Sequence, residues 1–364
     1  MMKHSLAGVL ITLITLASMP AGATEPDALQ DSTTSLGARL TQTYIAPAMR
    51  NFHEAAADTH GALQGACAAS DDSQKAQVAD AFQNLVAAWS GIEFLRFGPL
   101  VENNRFERIS FWPDPRGITI RQAQVLLAKE PADIPDAQAL STHSVALQGL
   151  PALEYVLYRD KGLLSGEPAA NRSTSCAYAI AIAGNLKQLG GELAQAWKAD
   201  GDYGQLFSTP SADNPLYRNP QEVASEVVKA LSTGLQFQVD VKLSPALGAD
   251  VAQAKATRSP FWRSGLTAHS VQHAARSMLD FYRAGGYRFS GAEWIDQNIQ
   301  GELHGAITHL AALPNDTDKL FGNEDSHREL LLVTLMLGNA KDLVDQDMAP
   351  ALGVRIGFNA LDGD

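Results

Sequence analysis

One carboxylate, Glu154, lies in the apolar stretch "LQGLPALEYVLY" at residues 147–158, three residues after Pro151. Gly149 suits the left-handed position just past a helix end, and Pro151 suits the first position of a new helix. We predict a helix that ends at about Gln148 and a second helix that begins at Pro151. Glu154 then lies in the first turn of the second helix, where the helix dipole stabilises a negative charge by about 0.3–1 kcal/mol. Such a helix break also leaves free backbone groups beside the acid, so a binding role and a purely stabilising role are both open.

Histidine spacing offers no complete metal-binding motif. His53 begins a His-Glu-x-x-His pattern, but Ala57 stands where the second histidine is needed. His269 and His273 are four residues apart on one predicted helix, a spacing that can chelate a metal, yet no third ligand follows at a helical spacing. We interpret both as surface or core histidines. No Ser-His-Asp order, glycine-rich phosphate loop or Cys-x-x-Cys motif stands out.

The composition is that of an acidic globular protein. The chain has 364 residues, 45% hydrophobic content and a formal net charge of −12. This hydrophobic content fills a core, and the length exceeds that of one ordinary domain, so we expect two domains. An acidic surface repels phosphate backbones, which argues against a nucleic acid as a partner.

The N-terminus has the pattern of an export signal. A basic start, "MMKHS", precedes the apolar run "LAGVLITLITLASMP", and "AGA" at 21–23 supplies small residues for cleavage before Thr24. The apolar run is too short to span a bilayer comfortably. We therefore predict a signal peptide over residues 1–23 and a periplasmic or otherwise exported protein, without a transmembrane anchor after cleavage.

Two cysteines, Cys67 and Cys176, are present in the chain. In an oxidising compartment they can form one disulfide, and the alternative is two buried thiols. Export favours the disulfide.

Apolar residues recur at helical spacing through most of the chain, and no convincing alternating strand is present. The sequence therefore predicts an all-α protein. One predicted helix starts with Asn219 as its cap and Pro220 at its first position. The long predicted helices cover residues 175–198, 219–243, 265–285, 290–314 and 326–346.

The distribution of these helices predicts two helical bundles. A segment rich in Gly, Pro, Ser and Asp at 201–218 is the expected linker, between an N-terminal bundle at 24–200 and a C-terminal bundle at 219–364. We also expect an extended loop around 97–117, which contains three prolines, and an irregular C-terminal tail.

Four stretches of the sequence resemble the imelysin-like family. "GLPALEYVLY" resembles the Gly-x-His-x-x-Glu segment of that family, with Gly149 and Glu154 matching and Pro151 standing where the family has its histidine. The resemblance covers nearly all of the chain after the signal peptide. The other three stretches are "RFGPLVENNRFERISFWPDPRG" (96–117), "RSPFWRSGLT" (258–267) and "GFNALDGD" (357–364).

The resemblance implies an exported, all-helical protein of two bundle domains. The family was named for a proposed peptidase activity, with the histidine and glutamate of the motif as presumed metal ligands, and many members are tied to iron uptake. Proline has no lone pair for a metal, so the chelating pair is reduced here to Glu154. One carboxylate does not hold a transition metal selectively, and a metallopeptidase needs three protein ligands plus a water.

The resemblance also points to a cluster of arginines, acids and a tryptophan. Trp89, Glu93 and Arg96 lie at i, i+4 and i+7 on one helix face, which is half apolar and half ionic. Such groups form either a structural ion-pair network or a ligand pocket, because arginine binds carboxylate and phosphate in a bidentate way. We place the cluster, with Glu154, at the interdomain cleft. The further candidate residues are Arg116, Arg263, Asn359 and Asp362.

The leading hypothesis is a non-catalytic exported protein that binds a small ligand, a cation or an envelope partner protein at Glu154, with a link to iron or metal uptake implied by the resemblance. A divalent cation, iron or zinc, is the candidate cofactor, and Glu154 is its only candidate ligand in the motif. The two alternatives are a metallopeptidase with ligands from distant parts of the chain and a structural or interaction module of the cell envelope.

Overall fold

The computed structural model describes residues 36–69, 72–166 and 169–355. These residues form helices and connecting loops, with no β-strand among them, which confirms the predicted all-α fold. The predicted signal peptide at 1–23 and the end of the C-terminal tail lie outside the described residues.

The α-helices differ widely in length, and short ones alternate with long ones along the chain. In order they are α1 (Leu36–Leu40), α2 (Ala46–Ala68), α3 (Asp72–Ser90), α4 (Arg105–Ile109), α5 (Ile118–Leu127), α6 (Ala137–Leu140), α7 (Gly149–Tyr158), α8 (Ala169–Ala196), α9 (Asp202–Ser208), α10 (Pro220–Gln236), α11 (Ser244–Leu247), α12 (Thr267–Gly285), α13 (Trp294–Ala311), α14 (Thr317–Gly322), α15 (Glu324–Leu343) and α16 (Ala349–Ala351). Wider π-helical turns continue or join several of them, at Thr41–Ile45, Phe237–Leu243 and Val344–Met348.

Local sequence signals explain where several helices begin. The Asn219 side chain accepts a hydrogen bond from the backbone N–H of Glu222 at 3.0 Å, and Pro220 is the first residue of α10. The sequence predicted both features. Asn323 caps α15 in the same way, because its side chain accepts from the N–H groups of Asp325 and Ser326.

The helices pack as two groups around one continuous hydrophobic core. In the first helix group, α2 packs along α3 and α8, and α7 packs on α8. In the second helix group, α13 packs between α12 and α15, and α10 packs on α15. Contacts of α12 with α1 and α3 join the groups, and the buried apolar residues of both belong to one cluster. The division of the chain into two domains stays a prediction.

The two segments expected to be irregular contain more structure than predicted. Within 201–218, α9 buries Phe207 against Trp197, at 5.5 Å between ring centroids, and Tyr217 is also buried. The loop at 97–117 contains two 3₁₀ turns and α4 before it becomes extended. Buried aromatic rings explain both differences, because their packing favours ordered turns over free loop.

A disulfide joins Cys67 at the end of α2 to Cys176 in α8, as predicted. It links the two helices of the first group that pack most extensively on each other. No helix in the described part of the chain is long and apolar enough to cross a bilayer.

Candidate ligand-binding site

A cavity of about 150 Å³ lies between α7, the start of α5 and the loop that precedes α12. We call it the Glu154 cavity. It brings together three of the four stretches singled out in the sequence, and of the predicted residues Pro151, Glu154 and Arg263 line it. Its remaining walls are Trp112, Asp114, Gly117, Thr119, Ile120, Tyr155, Thr257 and Trp262.

The start of α7 fixes the position of Glu154. Gly149 has a φ of +83°, the predicted left-handed conformation, and an added Cβ would lie 2.4 Å from the carbonyl oxygen of Ile109. A side chain at this position would therefore force α7 away from α4. Pro151 lies in the first turn, where its missing N–H would have no partner within the helix.

Two details of the predicted helix break are wrong. A 3₁₀ turn, Val145–Leu147, precedes α7 in place of an α-helix that ends at Gln148. α7 begins at Gly149, so Glu154 lies in its second turn and not in its first. The reason is that Gly149 joins the new helix while keeping its left-handed φ, which moves the helix start two residues ahead of Pro151.

The carboxylate of Glu154 is buried and is hydrogen-bonded by the opposing loop. Its Oε1 accepts from the backbone N–H of Ser264 at 2.9 Å and from the Ser264 hydroxyl at 2.8 Å. The side chain is 4% exposed. Burial raises the pKa of Glu154, while the hydrogen bonds from Ser264 and the charge of Arg263 act in the opposite direction. Glu154 therefore ties α7 to the loop before α12.

This loop, residues 259–266, has an unusual backbone and is called the Arg263 loop. Phe261 has a φ of +57°, a strained conformation for a bulky residue. The loop closes through a hydrogen bond from the Leu266 N–H to the Phe261 carbonyl at 3.0 Å. Thr267 Oγ1 donates to the Pro260 carbonyl at 2.7 Å. The Arg263 loop is therefore held in one conformation before any ligand enters.

The guanidinium of Arg263 lies over aromatic rings. It is 4.1 Å from the ring centroid of Trp262 and 5.4 Å from that of Tyr155. Burial lowers the pKa of Arg263, and the charge of Glu154 opposes this effect. Among the described residues, this guanidinium has no hydrogen-bond or ion-pair partner. It is a positioned cation at the cavity wall.

The opposite wall comes from the loop before α5. Asp114 caps this helix, because its two carboxylate oxygens accept from the N–H groups of Ile118 at 2.9 Å and Thr119 at 2.8 Å. Two donors of the same wall are buried without a partner in the part of the chain that the structure describes, Nε1 of Trp112 and Oγ1 of Thr119. The side chain of Thr119 is only 5% exposed.

Trp89, Glu93 and Arg96 do not reach the Glu154 cavity and form a separate buried cluster. Glu93 makes an ion pair with Lys242, and both side chains are 2% exposed. Gln238 donates to the same carboxylate at 3.1 Å. Burial lowers the pKa of Lys242, and the charge of Glu93 opposes this shift.

Arg96 completes this cluster, which we call the Glu93 cluster. Its guanidinium lies 4.1 Å from the ring centroid of Phe106 and 4.0 Å from that of Phe237. Burial lowers the pKa of Arg96 to about 10. The ring of Trp89 packs on Phe106, at 5.2 Å between centroids. The single cluster predicted from the sequence is therefore two clusters, and placing these three residues at the Glu154 site was wrong.

Of the remaining predicted residues, Arg116 is not part of the cavity wall. Arg116 is exposed, and its carbonyl accepts a hydrogen bond from Arg121. Asn359 and Asp362 lie outside the described residues.

Sequence reasoning missed Lys242, Ser264, Thr119 and Trp112. Lys242 follows Gln238 by four residues in the stretch "FQVDVKL" at 237–243. Two polar residues at this spacing lie on one helix face, and this pattern could have identified Lys242 as a partner for a buried acid. The other three lie within or beside the quoted stretches, but nothing in their spacing marks them as facing Glu154.

The donor set for a metal ion is incomplete. No group of three or more His, Cys, Asp or Glu side chains suited to a metal occurs among the residues that the structure describes. The rings of His269 and His273 lie 4.4 Å apart on α12, away from the Glu154 cavity.

Comparisons with known proteins agree with the all-helical fold. A solved imelysin-like protein from Psychrobacter arcticum 273-4 is 18% identical, with a TM-score of 0.72 over 90% of this chain and 98% of that chain. A protein from Parabacteroides distasonis ATCC 8503, described as an iron-regulated protein A precursor, is 14% identical, with a TM-score of 0.66 over 89% and 97% of the two chains. At these identities the likeness shows the fold.

The chain belongs to the imelysin family, since the family's sequence model, Imelysin (Peptidase_M75), matches residues 42–337. Among curated proteins, none matches the chain.

Proposed function

We propose that this member of the imelysin family is an exported, non-catalytic binding protein whose ligand occupies the Glu154 cavity. The observation that carries the proposal is the convergence of Pro151 and Glu154 with Arg263, which is more than one hundred positions away in the sequence, on one small cavity. The Arg263 loop is already tied to Glu154, so binding requires little reorganisation of the protein. Export agrees with the disulfide, which is typical of oxidising compartments.

The residues of the cavity do not fit a catalytic transition-metal ion. Pro151 stands at the position of the family's histidine, and both oxygens of Asp114 accept from backbone N–H groups. Glu154 accepts from Ser264. A hydrolytic metal site needs three protein ligands and an open position for water. We therefore derive no hydrolytic step for this site.

A connection with iron or metal uptake is also proposed. It is supported by the description of the structurally similar P. distasonis protein as iron-regulated. The Glu154 cavity would then serve the capture of a small molecule in the cell envelope and not the chemistry of a metal centre.

Native mass spectrometry of protein isolated from its own compartment tests the proposal. We expect the wild-type protein to carry a stoichiometric small molecule, and Arg263→Ala to lose it. Arg258→Ala is the matched control, because Arg258 is exposed and does not line the cavity. An empty wild-type protein, or equal occupancy in Arg263→Ala, would overturn the proposal.

A metallopeptidase is the second candidate, favoured by the name of the matching family. Its signature would be peptide hydrolysis that stops on addition of a chelator and is lost in Glu154→Gln. This result would replace the binding role by a catalytic one.

A further inference from the structure

In the Glu154 cavity, the acidic side chains already accept hydrogen bonds from the protein, whereas several donor groups have no acceptor among the described residues. Both acids of the wall accept hydrogen bonds from the protein itself. Asp114 holds the first N–H groups of α5, and Glu154 holds Ser264. A ligand that brought only donors or a positive charge would have to compete with these bonds.

Three donors of the same cavity have no acceptor among the described residues. They are the Arg263 guanidinium, Nε1 of Trp112 and Oγ1 of Thr119, and the latter two atoms are buried. A buried donor without a partner destabilises the protein, and this cost is recovered when a ligand supplies an acceptor. The three donors therefore favour a ligand that is rich in acceptor atoms, and the guanidinium of Arg263 favours an acceptor that carries a negative charge.

We propose that the Glu154 cavity binds a small carboxylate, whose oxygens accept hydrogen bonds from Arg263, Trp112 and Thr119. This assignment rests on the proposed function of the cavity as a ligand site. Arginine binds a carboxylate through two parallel N–H···O bonds, a geometry that also sets the orientation of the ligand.

The size of the cavity limits the ligand. Its volume of about 150 Å³ is close to that of a cavity that holds one benzene molecule, so a ligand has roughly six non-hydrogen atoms. Tyr155 and Trp262 give an apolar surface for a short carbon chain. A monocarboxylate of three or four carbon atoms meets both the polar and the apolar requirements.

A cation is the competing ligand, and the carboxylates of Asp114 and Glu154 would attract it. Both oxygens of Asp114 and Oε1 of Glu154 already accept hydrogen bonds from the protein, however, and the guanidinium of Arg263 would repel the cation. The cavity would also leave the donors of Trp112 and Thr119 unsatisfied.

The test uses the indole N–H signals of the tryptophans, of which the chain has five, in protein labelled with ¹⁵N-tryptophan. The probes are propionate and propionamide, which share a shape but carry negative and zero charge, and propylammonium, which has the same number of carbon atoms and a positive charge. We expect propionate to shift the Trp112 signal with a dissociation constant of about 1–10 mM, as fits a ligand of this size. The amide and the ammonium probe should bind at least about tenfold more weakly, since each lacks the charge that pairs with Arg263.

Variants then assign the donors. Thr119→Val removes the hydroxyl and keeps the shape, and it should weaken propionate binding about threefold to tenfold. Arg263→Gln should abolish binding, whereas Arg258→Gln should not change it. Trp112→Phe removes the indole donor, and propionate binding to this variant is read from the Trp262 signal. This second variant tests the donors even if Thr119→Val does not fold.

The outcomes separate this inference from the proposed function. Equal binding of the three probes, or tighter binding of propylammonium, would overturn the carboxylate assignment and leave a ligand site in place. No shift with any probe would also overturn it, and native mass spectrometry would then decide the proposed function independently.

Discussion

Glu93 and Glu154 are buried acids of the same chain, and each has an arginine nearby. They differ in whether that arginine is packed into the core or faces a cavity. Glu93 makes an ion pair with Lys242 and accepts from Gln238, while Arg96 is packed between two phenylalanine rings. Glu154 accepts from Ser264, and its arginine, Arg263, lines an open cavity.

The difference between the two acids shows that a mixture of acids and arginines does not by itself identify a binding site. In the Glu93 cluster Lys242 neutralises Glu93, and the guanidinium of Arg96 is packed between aromatic rings in a filled core, which is a structural arrangement although Nε and Nη2 of Arg96 have no partner among the described residues. In the Glu154 cavity, Glu154 and Asp114 accept hydrogen bonds from the protein, whereas Arg263, Trp112 and Thr119 have donors without an acceptor among the described residues. The distinguishing feature is the unused donor beside empty volume.

The largest expected effect concerns the structural side of this comparison. Lys242→Met leaves Glu93 buried without its cation, so we expect the free energy of unfolding to fall by about 3–5 kcal/mol. Denaturant unfolding measures this loss. The double variant Glu93→Gln, Lys242→Met should recover much of it, because the uncompensated charge is gone.

A surface lysine is the matched control for this prediction. Lys229 pairs with Glu226 one turn away, with 40% of its side chain exposed, so Lys229→Met should cost less than about 1 kcal/mol. If both lysine variants lost the same stability, the Glu93 cluster would not be a structural ion pair.

The next effect tests how rigidly the backbone holds Glu154. Gly149→Ala combines a positive φ with a contact of 2.4 Å to the Ile109 carbonyl, and we expect a loss of about 2–4 kcal/mol in unfolding free energy. Gly166 has a similar φ of +86°, but an added Cβ there would meet no atom of the described residues within 4 Å. Gly166→Ala should cost only about 1 kcal/mol, from the backbone conformation alone. Equal losses would mean that the close approach to α4 is unimportant.

The smallest effect concerns a third polar group, the neighbouring His269 and His273 on α12, whose ring centroids lie 4.4 Å apart. Burial, His269 and Arg276 lower the pKa of His273 from 6.5 to about 4. Between these values the unfolded chain binds a proton that the folded protein does not, so stability falls as the pH falls through this window. The ring is partly exposed and screened by solvent, which limits the effect to about 1 kcal/mol.

Unfolding midpoints near neutral pH and near pH 5 measure this change. We expect His273→Gln to show a smaller loss on acidification than the wild type, whereas His143→Gln, at an exposed position, should show the same loss as the wild type. If His273→Gln lost as much stability on acidification as the wild type does, His273 would not be the group that causes this loss.

The fold could be predicted from the sequence to a large extent, because helical periodicity, the Asn219 cap and the glycine at position 149 are local signals. The convergence of Pro151, Glu154 and Arg263 was reached through family resemblance, since no spacing rule joins residues more than one hundred positions apart. Lys242 was missed because the π-helical turn at Phe237–Leu243 changes the angular position of each side chain. A regular helical pattern does not place it opposite Glu93.

The wall of the cavity could not be predicted for a different reason. Ser264 and Thr119 are common small polar residues, and their importance depends on tertiary contacts alone. The positive φ of Phe261, which shapes the Arg263 loop, has no signal in residue type, because phenylalanine disfavours that conformation.

The central claim is that Glu154 holds the Arg263 loop while the donors of the cavity bind a carboxylate. The most direct test is the dissociation constant of propionate for Glu154→Gln, read from the Trp112 indole signal. The glutamine carbonyl can still accept from Ser264, and the substitution removes a negative charge beside the bound carboxylate. We predict that Glu154→Gln binds propionate at least as tightly as the wild type does. Loss of propionate binding in Glu154→Gln, together with a Zn²⁺ or Fe²⁺ ion bound by the wild type and released by the same substitution, would contradict this prediction.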